Sequence, residues 1–104
     1  MEKLYYTIKE VAAMIGVSES TLRYWETEFV QLRPSRTPGG RRRYTTEDIE
    51  KVKQIVYLLA DQKMHVDGAK HRLQSRPDEI ARKQQIAESL KNIKQELVEI
   101  KRFL

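Results

Sequence analysis

The chain has no cysteine, so disulfides, thiolate zinc sites, iron–sulfur centres and redox-active thiols are excluded, and a reducing compartment, the cytoplasm, is the expected location. Long apolar runs are missing as well. The longest stretch without a charged side chain is Val11 to Ser18, far short of the ~20 apolar residues that a membrane span needs, so no membrane partner is expected. The first residues, Met-Glu-Lys-Leu-Tyr-Tyr, hold an acid and no apolar segment ending in a small-residue cleavage site, so no targeting segment is expected. Histidine is scarce too. His65 and His71 are six apart and cannot share a helix face as paired ligands, and Asp61 with His65 lacks a third ligand, so no metal is expected. With 104 residues, no activated nucleophile and no cofactor motif, the chain is not expected to be an enzyme or to carry a cofactor. Hydrophobic residues make up 39% and charged ones 34%, which implies a modest core and an extended or oligomeric form.

Acid is absent between Val30 and Tyr44, where Arg33, Arg36, Arg41, Arg42 and Arg43 together equal the chain's whole net charge of +5. The rest of the chain is therefore neutral overall. Every charge in this segment is Arg rather than Lys, and the run is interleaved with turn residues and closed by Tyr44, which points to a polyanion footprint more than to a solvated loop. Nucleic acid suits that footprint.

Thr7 and Glu10 form the Thr-x-x-Glu pattern of a capping box, and Ile8, Val11, Ala12 and Ile15 follow on one helical face up to Gly16. Ser18 then caps a second helix whose buried face carries Leu22, Trp25 and Phe29. At 100° per residue, Ser20, Arg23, Tyr24 and Thr27 lie opposite Leu22 and form an exposed hydrogen-bonding surface. Two short helices around a glycine turn fit a helix-turn-helix, although such a corner also occurs in helical domains that never touch DNA.

Thr37-Pro38-Gly39-Gly40 places Pro and Gly where a type II turn prefers them, so residues 32–44 are expected to form a hairpin. Alternation puts Arg41 and Arg43 on one face and Arg42 and Tyr44 on the other. No Gly-Lys-Ser/Thr follows the glycine pair, which excludes a nucleotide-binding loop. Thr45 and Asp48 cap a third helix with the apolar stripe Ile49, Val52, Ile55, Val56 and Leu59, and a shorter helical turn is expected from Asp67 to Leu73. Ser75-Arg76-Pro77-Asp78-Glu79 reads as a break and restart, which divides the chain into residues 1–75 and 76–104. In the second part Ile86, Leu90, Ile93, Leu97, Ile100 and Leu104 recur at the spacing of a heptad seam, and a homodimer through this helix is the simplest partner for it. The residue charges beside the seam lean toward a parallel pair.

The ordered strings Tyr6-Thr7-Ile8-Lys9-Glu10-Val11-Ala12, Gly16-Val17-Ser18, Thr21-Leu22-Arg23-Tyr24-Trp25-Glu26 and Arg41-Arg42-Arg43-Tyr44 resemble the MerR family of bacterial transcription regulators, over roughly Tyr5 to Leu73. The resemblance implies a mainly α fold: a winged helix-turn-helix with a two-stranded β-hairpin wing, followed by a long C-terminal coiled-coil helix that pairs antiparallel. It implies DNA contacts from Ser20, Thr21, Arg23, Tyr24 and Thr27 in the major groove, and from Arg41, Arg42, Arg43 and Tyr44 in the wing. The implied function is that of a dimeric, sequence-specific regulator on an inverted-repeat operator in double-stranded DNA. It would act by promoter distortion in the nucleoid, with RNA polymerase as a further partner at the promoter. Trp25 stands where a second tyrosine is frequent, and the absence of cysteine excludes thiolate metal sensing. Two other readings are an excisionase-like architectural factor, and a coiled-coil adaptor whose basic hairpin binds an acidic partner.

Overall fold

The computed structural model describes residues 3–104. Helix α1 (Ile8–Ile15) starts at Thr7, whose hydroxyl accepts from the Glu10 N–H at 3.1 Å while the Glu10 carboxylate accepts from the Thr7 N–H at 3.0 Å. It ends at Gly16, which takes φ 86°, a left-handed conformation that glycine adopts without steric cost. Ser18 accepts from the Thr21 N–H and opens α2 (Glu19–Glu28) two residues later. The tight turn holds the two helices against each other as a helix-turn-helix. Val11 and Ala12 from α1, Leu22 and Trp25 from α2, and Phe29 just past its end are buried together.

The wing follows as β1 (Ser35–Arg36) and β2 (Arg42–Arg43), antiparallel, with Ser35 opposite Arg43 and Arg36 opposite Arg42. Its turn departs from the expected type II geometry. The left-handed residue is Gly40 (φ 85°), not Gly39. Thr37 N–H donates to the Arg41 carbonyl and Gly40 N–H to the Thr37 carbonyl, which makes a three-residue loop closed by a left-handed glycine. The chain's start adds a third segment to this ribbon, because Tyr6 and Tyr44 exchange both backbone hydrogen bonds at 2.8 Å.

Thr45 and Asp48 complete a second capping box, and α3 (Thr46–Val56) buries Ile49, Val52 and Ile55. The apolar pattern then runs on without a stop signal, and the helix widens into one π turn over Tyr57–Asp61, where Gln62 N–H reaches back five residues to the Tyr57 carbonyl. Lys63, at φ 53°, ends the turn. Helix α4 (Val66–Ser75) is longer than the turn expected from Asp67 to Leu73 and seats Ala69 and Leu73 in the core. Helix α5 (Pro77–Arg102) has its proline in the first turn, where a missing N–H costs nothing. Ile80 and Gln84 are buried against the body, so the first turns of α5 belong to the same core. Lys53 to Glu88 at 3.3 Å and Lys91 to Asp61 at 3.0 Å fasten the next two turns.

A Cβ added to Gly16 would meet nothing within 4 Å, so Gly16→Ala tests backbone strain alone. It should lower the unfolding free energy by about 1 kcal/mol, seen as a lower urea midpoint at unchanged slope.

Candidate nucleic-acid interface

The outer face of α2 is polar and open. Ser20, Arg23, Tyr24 and Thr27 are all exposed. Thr21 is half-buried, with its hydroxyl 2.8 Å from that of Ser18, so it contributes to the cap before it can contribute to a contact. Arg23 lies 3.6 Å from Glu19 one turn back, a loose pair that leaves half of its side chain accessible. Thr27 donates its hydroxyl hydrogen bond to the Tyr24 carbonyl at 2.6 Å, and the Tyr24 side chain is itself exposed.

The wing assigns its arginines different tasks. Arg41 is exposed. Arg36 closes the turn, donating from Nη1 to the Gly40 carbonyl at 3.0 Å. Arg43 lies with its guanidinium carbon 4.7 Å from the centroid of the Tyr5 ring, a cation–π stack that holds it half-buried. Arg42 donates from Nε to Glu26 Oε2 at 2.7 Å, and the Tyr44 hydroxyl donates to the same oxygen at 2.8 Å. Tyr44 is fully buried, which corrects its expected place among the DNA contacts: the ring fills the core and the hydroxyl is committed to Glu26. Arg42 is corrected in part, since its inner nitrogen serves the same carboxylate. Burial, followed by the Glu26 hydrogen bond, holds the Tyr44 phenol well above its ordinary pKa.

Glu26 and Lys9 are the residues that sequence reasoning missed. Glu26 stands on the buried stripe of α2 between Leu22 and Phe29, and an acid at such a position signals a partner arriving from elsewhere. Lys9 follows the α1 cap on the exposed side of the helix and lines a cleft of about 400 Å³ with Arg23, Gly40, Arg41 and Arg42. The fold thus brings Arg23, on the exposed face of α2, and the wing tip to one place. His65 and His71 are both exposed, and no cluster of three or more possible metal ligands occurs among the described residues. No helix among them is long and apolar enough to cross a membrane.

A tight two-helix corner, a polar outer face on its second helix and a basic hairpin tied to that helix define the winged helix-turn-helix class. The chain belongs to the MerR family, for the pattern of the MerR HTH family regulatory proteins matches residues 6–76. It is 40% identical over 50 residues to the HTH-type transcriptional regulator MlrA of Escherichia coli, covering 48% of this chain and 21% of MlrA. Over 71 residues it is 33% identical to the HTH-type transcriptional repressor CarA of Myxococcus xanthus, covering 67% of this chain and 25% of CarA. The chain therefore spans about a fifth to a quarter of the length of these curated relatives. Among solved structures it is similar to HiNmlR, a MerR family regulator lacking the sensor domain, bound to promoter DNA. That match has a TM-score of 0.59 and 25% identity, and covers 96% of this chain and 82% of HiNmlR.

A raised phenol pKa means that the neutral form is favoured by folding. Its contribution is complete below the unfolded phenol value of about 10 and is lost as pH rises beyond it. Tyr44→Phe should lower stability by about 1 kcal/mol at neutral pH and make the fall above pH ~10 shallower, measured by urea unfolding across pH. Equal alkaline slopes in the two proteins would refute this role for the hydroxyl.

Proposed function

We propose that the protein is a dimeric, sequence-specific DNA-binding regulator of transcription. The observation that carries this reading is the exposed face of Ser20, Arg23, Tyr24 and Thr27 standing beside Arg41 of a wing that Glu26 fixes to the same helix. In this reading α2 enters the major groove with Arg23 at the base edges, where a guanidinium can donate two hydrogen bonds to guanine. Thr27 and Tyr24 flank it, and Ser20 and Thr21 face the groove from the first turn. Arg41, with the outer nitrogens of Arg42 and Arg43, meets phosphates and fixes register without reading sequence.

Dimerisation is drawn from α5. Ile86, Leu90, Ile93, Leu97, Ile100 and Leu104 are each more than half exposed, a continuous apolar stripe on one helix. A second copy buries that stripe and sets two reading heads at a fixed spacing, so the operator is an inverted repeat. Residues 1–75 form the DNA-binding part in this reading and residues 76–104 the dimerisation helix. The protein acts at promoters in the cytoplasm, on nucleoid DNA, by distorting the duplex presented to RNA polymerase.

Selection from a random duplex library at near-physiological salt, with wild type and Arg23→Ala side by side, tests base reading. Wild type should enrich an inverted repeat, and the variant should bind it more weakly by ~1–3 kcal/mol with a blurred preference at the contacted base. No enrichment by soluble, folded wild type would overturn the regulator and favour an adaptor or a nonspecific binder.

The seam has its own test. Leu97→Glu places a charge in the middle of the apolar stripe and should convert a sedimenting dimer to monomer while the helical signal is largely kept. Affinity for the full repeat should drop toward that for a half-site. A variant that remains dimeric would locate the interface elsewhere.

A further inference from the structure

The cleft between the start of α1 and the tip of the wing is lined from three parts of the fold: Thr7, Ile8 and Lys9 at the start of α1, Arg23 of α2, and Gly40, Arg41 and Arg42 of the wing. Its charges are unequally compensated. Arg42 is bound to Glu26 at 2.7 Å, and Arg23 faces Glu19 at 3.6 Å. Lys9 and Arg41 form no ion pair among the described residues, although both are exposed. Glu10, adjacent to Lys9 in the chain, does not compensate it. Its carboxylate is held by Lys3 and by the Thr7 N–H.

Two exposed cations that line one open cleft, with no ion-pair partner among the described residues, create a local positive potential that attracts an anion into it. The cleft is far too small for a protein segment of any length and large enough for a sugar-phosphate unit. Gly40, whose φ of 85° excludes most side chains, leaves the wing side of the mouth uncovered. Arg23, which also lines the cleft, belongs to the helix that reads bases in the function proposed above, so an anion seated here sits beside the groove that α2 would enter. On a duplex the anion in that position is a phosphodiester.

We propose that this cleft seats one backbone phosphate of each half-site, with Lys9 and Arg41 as its two cationic ligands, one from the helix-turn-helix and one from the wing. The assignment rests on the DNA-binding reading above and deepens it. A phosphate gripped from both sides fixes how far α2 sinks into the groove, because α1 and the wing cannot both hold it at another depth. Lys9 is thereby a positioning residue that the basic hairpin alone does not supply.

The test uses the operator recovered by selection, prepared as duplexes that each carry a single neutral methylphosphonate. Wild type, Lys9→Ala, Arg41→Ala and the off-site control Lys51→Ala are titrated by fluorescence anisotropy. On the natural duplex both cleft variants should bind about three- to tenfold more weakly, and Lys51→Ala should match wild type. At one phosphate per half-site, neutralisation should weaken wild type by a similar factor and erase the further loss of both variants. Lys9→Arg, which keeps the charge, should restore most of the affinity. Losses erased at two different phosphates, or at none, would overturn the shared seat while leaving the DNA-binding reading intact. If wild type recovers no operator, the regulator reading fails and the seat fails with it.

Discussion

Glu26 is the point on which the helix-turn-helix and wing half of the molecule turns. A carboxylate 13% exposed, on the stripe of a helix that otherwise carries Leu22, Trp25 and Phe29 inward, is unstable unless donors reach it. Arg42 and Tyr44 supply them, both to the same oxygen, from a hairpin that begins after the helix has ended. The wing needs this anchor. Its strands are two residues each, too short to hold an orientation by their own ladder. Tyr44 is fixed twice, through its hydroxyl to Glu26 and through its backbone to Tyr6, so the hairpin's return strand is fastened to α2 and to the chain's start at one residue. Wing and recognition helix then behave as one body, which is the condition for phosphate contacts to set the register of base contacts.

In the proposed DNA-binding role, that anchoring explains how an arginine-rich segment can still meet a polyanion when most of its members are engaged. A guanidinium has five N–H donors in a rigid fork, and Arg42 spends its Nε on Glu26 while its outer nitrogens remain available. Arg43 on the Tyr5 ring and Arg36 on the Gly40 carbonyl are likewise held by one part of the side chain. Each has surrendered rotamer freedom in advance, so less is lost on meeting a phosphate. Lysine in these places would offer a point charge on a loose stem. Arg41 at the wing tip and Lys9, both exposed and in no ion pair among the described residues, are side chains that can adapt.

What was legible in the sequence was local. Thr7 with Glu10, Ser18, and Thr45 with Asp48 announce helix starts because a cap and its N–H partner lie within three residues, and Gly16 announces a stop because few residues tolerate its backbone angle. The exposed face of α2 follows from the same short-range periodicity. Alternation in the hairpin correctly separated Arg42 and Tyr44 from Arg41, yet it could not say which face points inward. That depends on Glu26, far away along the chain, and the clue was an acid among apolar stripe positions. The turn shows the same limit. Pro38-Gly39 fits a type II turn, but the three-residue register between Thr37 and Arg41 moves the left-handed angle to Gly40. The π turn at Tyr57–Asp61 has no sequence punctuation at all, since the apolar run passes through it without a glycine or proline.

Helix α5 carries two stripes, one buried against the body and one exposed. Ile80 and Gln84 are buried against the body, and Ala87 and Lys91 continue that line along the π turn, whereas the stripe from Ile86 to Leu104 lies about a third of a turn away around the axis. The stripes overlap along the chain between Ile86 and Lys91, so no hinge separates them. The Lys53–Glu88 and Lys91–Asp61 pairs sit within that overlap and hold the helix to α3 and the π turn where the seam begins. The first stripe therefore sets the azimuth of the second relative to α2. Were the helix free to rotate on the body, a second copy gathered along the seam would carry its reading head at an arbitrary angle. With the rotation fixed by Ile80 and Gln84, the proposed dimer would hold its two α2 helices at a spacing set by the fold, which is what an inverted repeat of one spacing requires.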